Sequence, residues 1–138
     1  MTRRIEFDAA HRVYGHESKC GTVHGHRYVA EITAQAADLD NIGRVVDFSV
    51  IKEAVGGWID KHWDHTGIVF VDDVETKRLM TALPGYKPMF ISAWNPTAEN
   101  MANHLLREVC PMVLKGYAIR VVKVRLYETP NCWADAEI

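Results

Sequence analysis

Cys20-Gly21-Thr22-Val23-His24-Gly25-His26 leads into a strand-like stretch that runs from about Val23 to Ala36. Side chains alternate along a strand, so His24, His26, Tyr28, Ala30 and Ile32 share a less polar face, while Arg27, Glu31 and Thr33, with Val29 among them, share the other. Two imidazoles that are next neighbours on one face, with Cα atoms about 6.5–7 Å apart, converge on a single ion. Zinc accepts neutral imidazole nitrogens, and a catalytic zinc keeps three protein ligands and one open position. A third ligand is therefore required. Cys20 is either that ligand or, in a loop flanked by Lys19 and Gly21, a reactive thiolate beside the metal.

Upstream, residues 4–12 alternate in the same way, with Ile5, Phe7, Ala9 and His11 on one face. This predicts a half-buried strand whose apolar face ends in a third histidine. Residues 13–22 carry the glycines and polar residues of a functional loop. Downstream, Asp38-Leu39-Asp40-Asn41-Ile42-Gly43 predicts a turn, and 44–48 a partner strand that returns as a hairpin. From Ser49 the apolar period becomes helical, with Ile51, Val55, Trp58 or Ile59, and His62, so a helix is expected over 48–62 despite Gly56-Gly57. Asp64-His65 follows it directly.

Val69-Phe70-Val71 predicts a short strand, Asp72 or Asp73 the cap of a short helix through Leu83, and 87–92 an extended segment. Asn95-Pro96-Thr97-Ala98-Glu99 is a helix start, capped by Asn95 or by Thr97. The stripe Met101, Ala102, Leu105, Leu106, Val109 and Val113 carries that helix to Leu114, with Cys110 as a small buried hydrophobe and Gly116 as its end. The last strand, 117–128, turns Val122, Val124 and Leu126 to one face, which ends in Glu128. Thr129-Pro130-Asn131 breaks it and leaves Cys132-Trp133 in a short tail. The order of elements predicts an α+β fold, an antiparallel sheet covered by helices on one face.

The 138 residues suit a single domain, 1–138, and the 48% apolar and 25% charged content suits a globular core without staples. A net charge of −2 gives no footprint for nucleic acid, and no apolar run is long enough for a membrane span, so a small-molecule partner is expected. The charged N-terminus lacks an apolar signal region, and three widely spaced cysteines argue for free thiols; both predict a reducing, cytoplasmic setting.

Taken together, Phe7-Asp8-Ala9-Ala10-His11, Cys20-x3-His24-Gly25-His26, Val46-Asp47-Phe48, Asp64-His65, Asn95-Pro96-Thr97-Ala98-Glu99 and Glu128-Thr129 resemble, in order and spacing, the 6-pyruvoyltetrahydropterin and 6-carboxytetrahydropterin synthases. Bacterial members of that family serve queuosine biosynthesis. The resemblance implies a T-fold (tunnelling fold) whose sheets join between subunits into an oligomeric barrel, with sites at the interfaces. It implies Zn2+ held by His11, His24 and His26, Cys20 as the proton-abstracting thiolate, Asp64 and His65 as a relay, Glu128 as the pterin anchor and a member of that relay, and Thr97 as a further substrate contact. The implied substrate is 7,8-dihydroneopterin triphosphate. The carboxy branch cleaves its side chain to acetaldehyde and triphosphate; the pyruvoyl branch eliminates triphosphate alone. A carboxy-type lyase is expected, with the pyruvoyl activity as the alternative and, from another class, a non-catalytic module around a closed zinc site that includes Cys20. Two departures concern the substrate loop: Thr66-Gly67-Ile68-Val69 stands where the family commonly places a leucine-asparagine pair, and the segment from Phe70 to Trp94 is long.

Overall fold

The computed structural model describes residues 1–85 and 87–138. Among the described residues six strands form one sheet in the order β4-β3-β1-β2-β5-β6. They are β1 (Thr2–His11), β2 (His24–Gln35), β3 (Thr66–Phe70), β4 (Phe90–Ser92), β5 (Arg120–Thr129) and β6 (Cys132–Glu137). Helix α1 covers 48–62, α2 is Val74–Ala82 and α3 covers 98–113; α1 and α3 each contain a π-helical stretch, Lys52–Gly56 and Leu105–Val109.

Alternation on β1 and β2 is as the sequence predicts. Ile5, Phe7, Ala9 and His11 are buried, and so are Tyr28, Ala30 and Ile32. These residues meet Ile51, Val55 and Ile59 of α1 and Met101, Leu105, Leu106 and Val109 of α3 in one core. Ile59, rather than Trp58, is the fully buried choice on α1. Of the two glycines, Gly56 packs against Ile5, where an added Cβ would be in ordinary contact at 3.7 Å from the Ile5 Cδ1, and Gly57 faces open space. The opposite face of the sheet carries ion pairs such as Arg27–Asp8 and Arg125–Asp135.

Four expectations are corrected. The sheet is mixed rather than antiparallel, because β3 runs parallel to β1 and β4 parallel to β3. Residues 44–48 form no strand: both edges of β2 are occupied, by β1 and β5, and Arg44 instead bonds Asp40 while Asp47 caps α1. The tail beyond Asn131 is strand β6, paired antiparallel with β5, with Ala134 and Ala136 turned into the core. On β5 a bulge opposite Thr33 and Ala34 turns Val121, not Val122, inward. The caps resolve in favour of Asp73 for α2 and Thr97 for α3. Gly116 follows α3 with φ +99°, a left-handed conformation that suits glycine. Among the described residues no helix is long and apolar enough to cross a membrane.

Candidate metal centre and relay

The pairing of β1 with β2 sets His11 directly opposite His24, and Ala9 opposite His26. The three imidazoles therefore leave the same face of neighbouring strands, with ring centroids 4.7 Å (His11–His24), 5.2 Å (His11–His26) and 4.7 Å (His24–His26) apart. On the other side of β2, Val29 pairs with Tyr127, so the next residue of β5, Glu128, reaches the same cluster. Its Oε1 lies 3.0 Å from His26 Nε2, without the alignment of a hydrogen bond, and 4.0 Å from His11 Nε2. One nitrogen from each histidine and one Glu128 oxygen lie within 4.8 Å of one another.

Two of the rings are oriented from behind. His11 Nδ1–H donates to the Pro96 carbonyl at 2.6 Å, and His24 Nδ1–H to the Thr22 carbonyl at 2.6 Å. That tautomer leaves Nε2 as a lone-pair donor, the arrangement by which backbone carbonyls orient metal-bound imidazoles. His11 Nε2 and His26 Nε2 are buried and have no hydrogen-bond partner among the described residues, an expensive condition for a polar atom unless something else fills the site. Burial pushes His11 and His26 below the ordinary imidazole value, against the opposing effect of the Glu128 charge. Both rings are thus kept neutral, as ligation requires. The cluster rests on Tyr28, fully buried, stacked on Phe7 at 5.2 Å and with a hydroxyl that has no partner among the described residues. Burial first, and then Glu128, raises the Tyr28 phenol, which stays protonated. The donor set fits a divalent metal such as zinc.

Asp64 and His65 form a second cluster, with Asp8. Trp63, fully buried, ends α1, and the turn after it is fixed by three contacts. The Asp8 amide donates to Asp64 Oδ1 at 2.9 Å, the His65 amide to the Asp8 carbonyl at 2.6 Å, and His65 Nδ1 to Asp64 Oδ2 at 2.7 Å. His65 has φ +57°, a strained conformation for a side chain of its size. Lys87 donates to the carbonyls of Asp60 and Asp64. Burial alone pushes the Asp64 carboxyl up, yet the Asp8 amide and His65, helped by the Lys87 charge, hold it below the ordinary value. Asp8, Lys87 and the Pro96 carbonyl were not legible as site residues: Asp8 reads as one of several charges on a solvated strand face, and the other two act through long-range contacts.

Asp8 and His11 are an odd number of residues apart on β1, so their side chains leave opposite faces of the sheet. The Asp64–His65 pair accordingly does not join the histidine cluster within one chain. Cys20 belongs to neither group; it is half-buried in a short turn, Lys19–Gly21. Its loop is closed by the Val13 amide, which donates to the Cys20 carbonyl at 2.8 Å. Thr97 Oγ1 caps α3 by accepting from the Asn100 amide at 3.3 Å.

The whole chain, residues 1–138, matches the family model described as 6-pyruvoyl tetrahydropterin synthase. A Rickettsia bellii protein named 6-carboxy-5,6,7,8-tetrahydropterin synthase is 45% identical over 134 residues, 97% of this chain and 96% of its own. One of the same name from Aquifex aeolicus is 31% identical over 156 residues, 98% and 95% of the two chains. Among solved structures, an uncharacterised Wolinella succinogenes protein superimposes with TM-score 0.84 at 21% identity, covering 99% of this chain and 96% of its own. Caenorhabditis elegans 6-pyruvoyl tetrahydropterin synthase does so with TM-score 0.70 at 23% identity, covering 100% and 94%. These two likenesses concern the fold. On the strength of the family model and the near relatives, the chain belongs to the 6-pyruvoyl tetrahydropterin synthase family.

Proposed function

We propose that the chain is a zinc-dependent 6-carboxy-5,6,7,8-tetrahydropterin synthase that converts 7,8-dihydroneopterin triphosphate and one water to 6-carboxytetrahydropterin, acetaldehyde and triphosphate in 7-deazaguanine (queuosine) biosynthesis. The observation that carries the reading is the convergence of His11, His24 and His26, two of them anchored through Nδ1, in a chain 45% identical to a relative of that name. When bound there, zinc supplies a Lewis acid that lowers the pKa of a substrate hydroxyl.

The chain's own residues divide the remaining work. Cys20, as the thiolate, removes a proton from the substrate side chain, and the Asp64–His65 pair accepts and returns it. The Asp64 carboxylate holds the His65 ring by its Nδ1–H and leaves Nε2 for proton exchange. Glu128 accepts hydrogen bonds from the amino and ring N–H groups of the pterin and exchanges protons with the relay. Thr97 accepts from the Asn100 amide and retains its O–H to donate to the ring. His65, whose side chain is 73% exposed, and the location of the two clusters on opposite faces of β1 support a site completed by a second copy of the chain, in a homo-oligomeric barrel. The free thiols Cys20, Cys110 and Cys132 suit a reducing cytoplasm.

The test is incubation of the zinc-loaded protein with 7,8-dihydroneopterin triphosphate and mass spectrometry of the products. Acetaldehyde with 6-carboxytetrahydropterin is expected. Triphosphate elimination without acetaldehyde would establish the pyruvoyl activity instead, and an unchanged substrate would refute both.

A further inference from the structure

We infer that Asn95 is a positioning residue that holds the Cys20 loop in register with the metal centre. The inference rests on the reading of Cys20 as the base.

The sequence offers Asn95 and Thr97 as rival caps for α3, and Thr97 takes that role. The Asn95 side chain is thereby released, and it reaches across to the other end of the chain's N-terminal segment. Its Oδ1 accepts from the Tyr14 amide at 2.8 Å, and its Nδ2–H donates to the Tyr14 carbonyl at 2.8 Å. One carboxamide thus satisfies both backbone groups of a single residue, as a neighbouring strand would. Its own backbone is held too. The Asn100 side chain donates to the Asn95 carbonyl at 3.0 Å, and Pro96 restricts Asn95 to extended conformations.

What Asn95 grips is the base of a closed unit. Next to Tyr14, the Val13 amide bonds the Cys20 carbonyl at 2.8 Å. Inside the loop the His16 amide donates to the Val13 carbonyl at 3.1 Å, the Ser18 amide to His16 Nδ1 at 2.9 Å, and the Gly21 amide to the Ser18 carbonyl at 3.0 Å. The loop is tight enough that a Cβ on Gly21 would stand 2.9 Å from the His16 carbonyl oxygen. A unit so closed moves as a body when its attachment moves. The adjacent Pro96 carbonyl meanwhile accepts from His11 Nδ1 at 2.6 Å. Asn95-Pro96 therefore fixes the thiol-bearing loop through one residue and a metal-site imidazole through the next.

The two attachments are separable, and the experiment uses that. Asn95→Ala removes the grip on Tyr14 and leaves the Pro96 carbonyl; Asn95→Asp keeps the acceptor and loses the donor. The full-length zinc protein is assayed for turnover, zinc content, melting temperature and alkylation of each cysteine by iodoacetamide, read peptide by peptide, with exposed Cys132 as the internal standard. Asn95→Ala is expected to lower kcat about 10- to 100-fold, the effect of displacing a reacting group by about 1 Å. KM and zinc content stay near wild type, the Cys20-to-Cys132 alkylation ratio changes severalfold, and Asn95→Asp falls between. Wild-type kcat and alkylation ratio in Asn95→Ala would overturn the proposal. So would loss of zinc and of the folded transition in step with activity, which would make Asn95 a general scaffold residue. A wild-type protein that leaves dihydroneopterin triphosphate unchanged refutes the proposed activity, while the alkylation ratio still decides the role of Asn95.

Discussion

Glu128→Gln separates two uses of one carboxylate. Four donors around a tetrahedral zinc with bonds of about 2.0–2.1 Å lie roughly 3.3 Å apart. The Glu128 Oε1 distances of 3.0 Å to His26 Nε2 and 4.0 Å to His11 Nε2 bracket that value. Geometry alone thus admits Glu128 as a fourth ligand in a closed site, or as a group beside an open one that binds the pterin. In the second case the amide keeps the shape but presents an N–H where the ring also presents one. Charge-assisted hydrogen bonds contribute about 1.5–3 kcal/mol each. Loss of one such bond and of the charge behind the other is therefore expected to lower kcat/KM about 100- to 1,000-fold, roughly 3–4 kcal/mol. Zinc affinity should fall only about 10- to 100-fold, the effect of a group outside the ligand set. Isothermal titration of the chelated variant with zinc, beside steady-state kinetics, reads both quantities. A Glu128→Gln protein that takes up no zinc, with all three histidines intact, would show the carboxylate to be an obligatory ligand and refute the open three-histidine site.

Cys20→Ala should abolish turnover with zinc retained, and mixing its subunits with those of His65→Ala under exchange should restore roughly a quarter of wild-type activity if each site draws on two copies. No recovery would place thiol and relay in one chain. Chelated protein should melt at lower temperature at pH 5.5 than at pH 8. Burial holds His11 and His26 below the ordinary value, so the unfolded chain takes up protons near pH 6.5 that the folded one refuses, and stability falls as pH falls through that window; a higher melting temperature at pH 5.5 would contradict this. Asp73→Ala should cost about 3–4 kcal/mol in urea unfolding. Its carboxylate is almost fully buried, caps α2 and bonds Arg12 Nε at 2.6 Å. The Arg12 pairing lowers its pKa to about 2, so its contribution is present above about pH 3.9 and is lost as pH falls through about 2. A loss under about 1 kcal/mol would show the cap and ion pair to be idle.

Local periodicity carried the sequence reading where a segment's neighbours are close in the chain or its two faces differ sharply. The faces of β1 and β2, the stripe of α3 and a cap at Asp72 or Asp73, which the structure resolves to Asp73, follow from alternation, a 3.6-residue period and capping chemistry. Parallel pairing of β3 with β1 left no such mark, because it joins Ala9 to Thr66 across a helix. Strand β6 was hidden by its composition: its inward residues, Ala134 and Ala136, are weak strand formers, and its start at Cys132 follows a proline turn. The Val121–Val122 exchange could not be read, since a bulge is decided by the partner strand. At the site, identical side-chain types on predicted faces made the histidines legible, whereas Asp8 looked like any charge on a solvated face.

The spacing of Asp8 and His11 gives β1 a role that neither cluster shows alone. An even spacing would have put both groups on one face, where a protomer could assemble relay and metal by itself. With an odd spacing the strand presents the imidazole to the aromatic interior and the Asp8–Asp64–His65 group to the other side. Each face has the environment its chemistry needs. The inner face, floored by Tyr28 and Phe7, keeps His11 and His26 neutral for ligation. The outer face leaves the His65 side chain open to whatever approaches, as the proposed proton exchange requires. Moving the pair inward would bury His65 and sacrifice that exchange; moving the histidines outward would return their nitrogens to water and favour protonation over ligation. On the proposed reading a second copy brings its outer-face Asp64–His65 pair to the first copy's thiol, and a monomer of this chain, however well folded and zinc-loaded, should be inert.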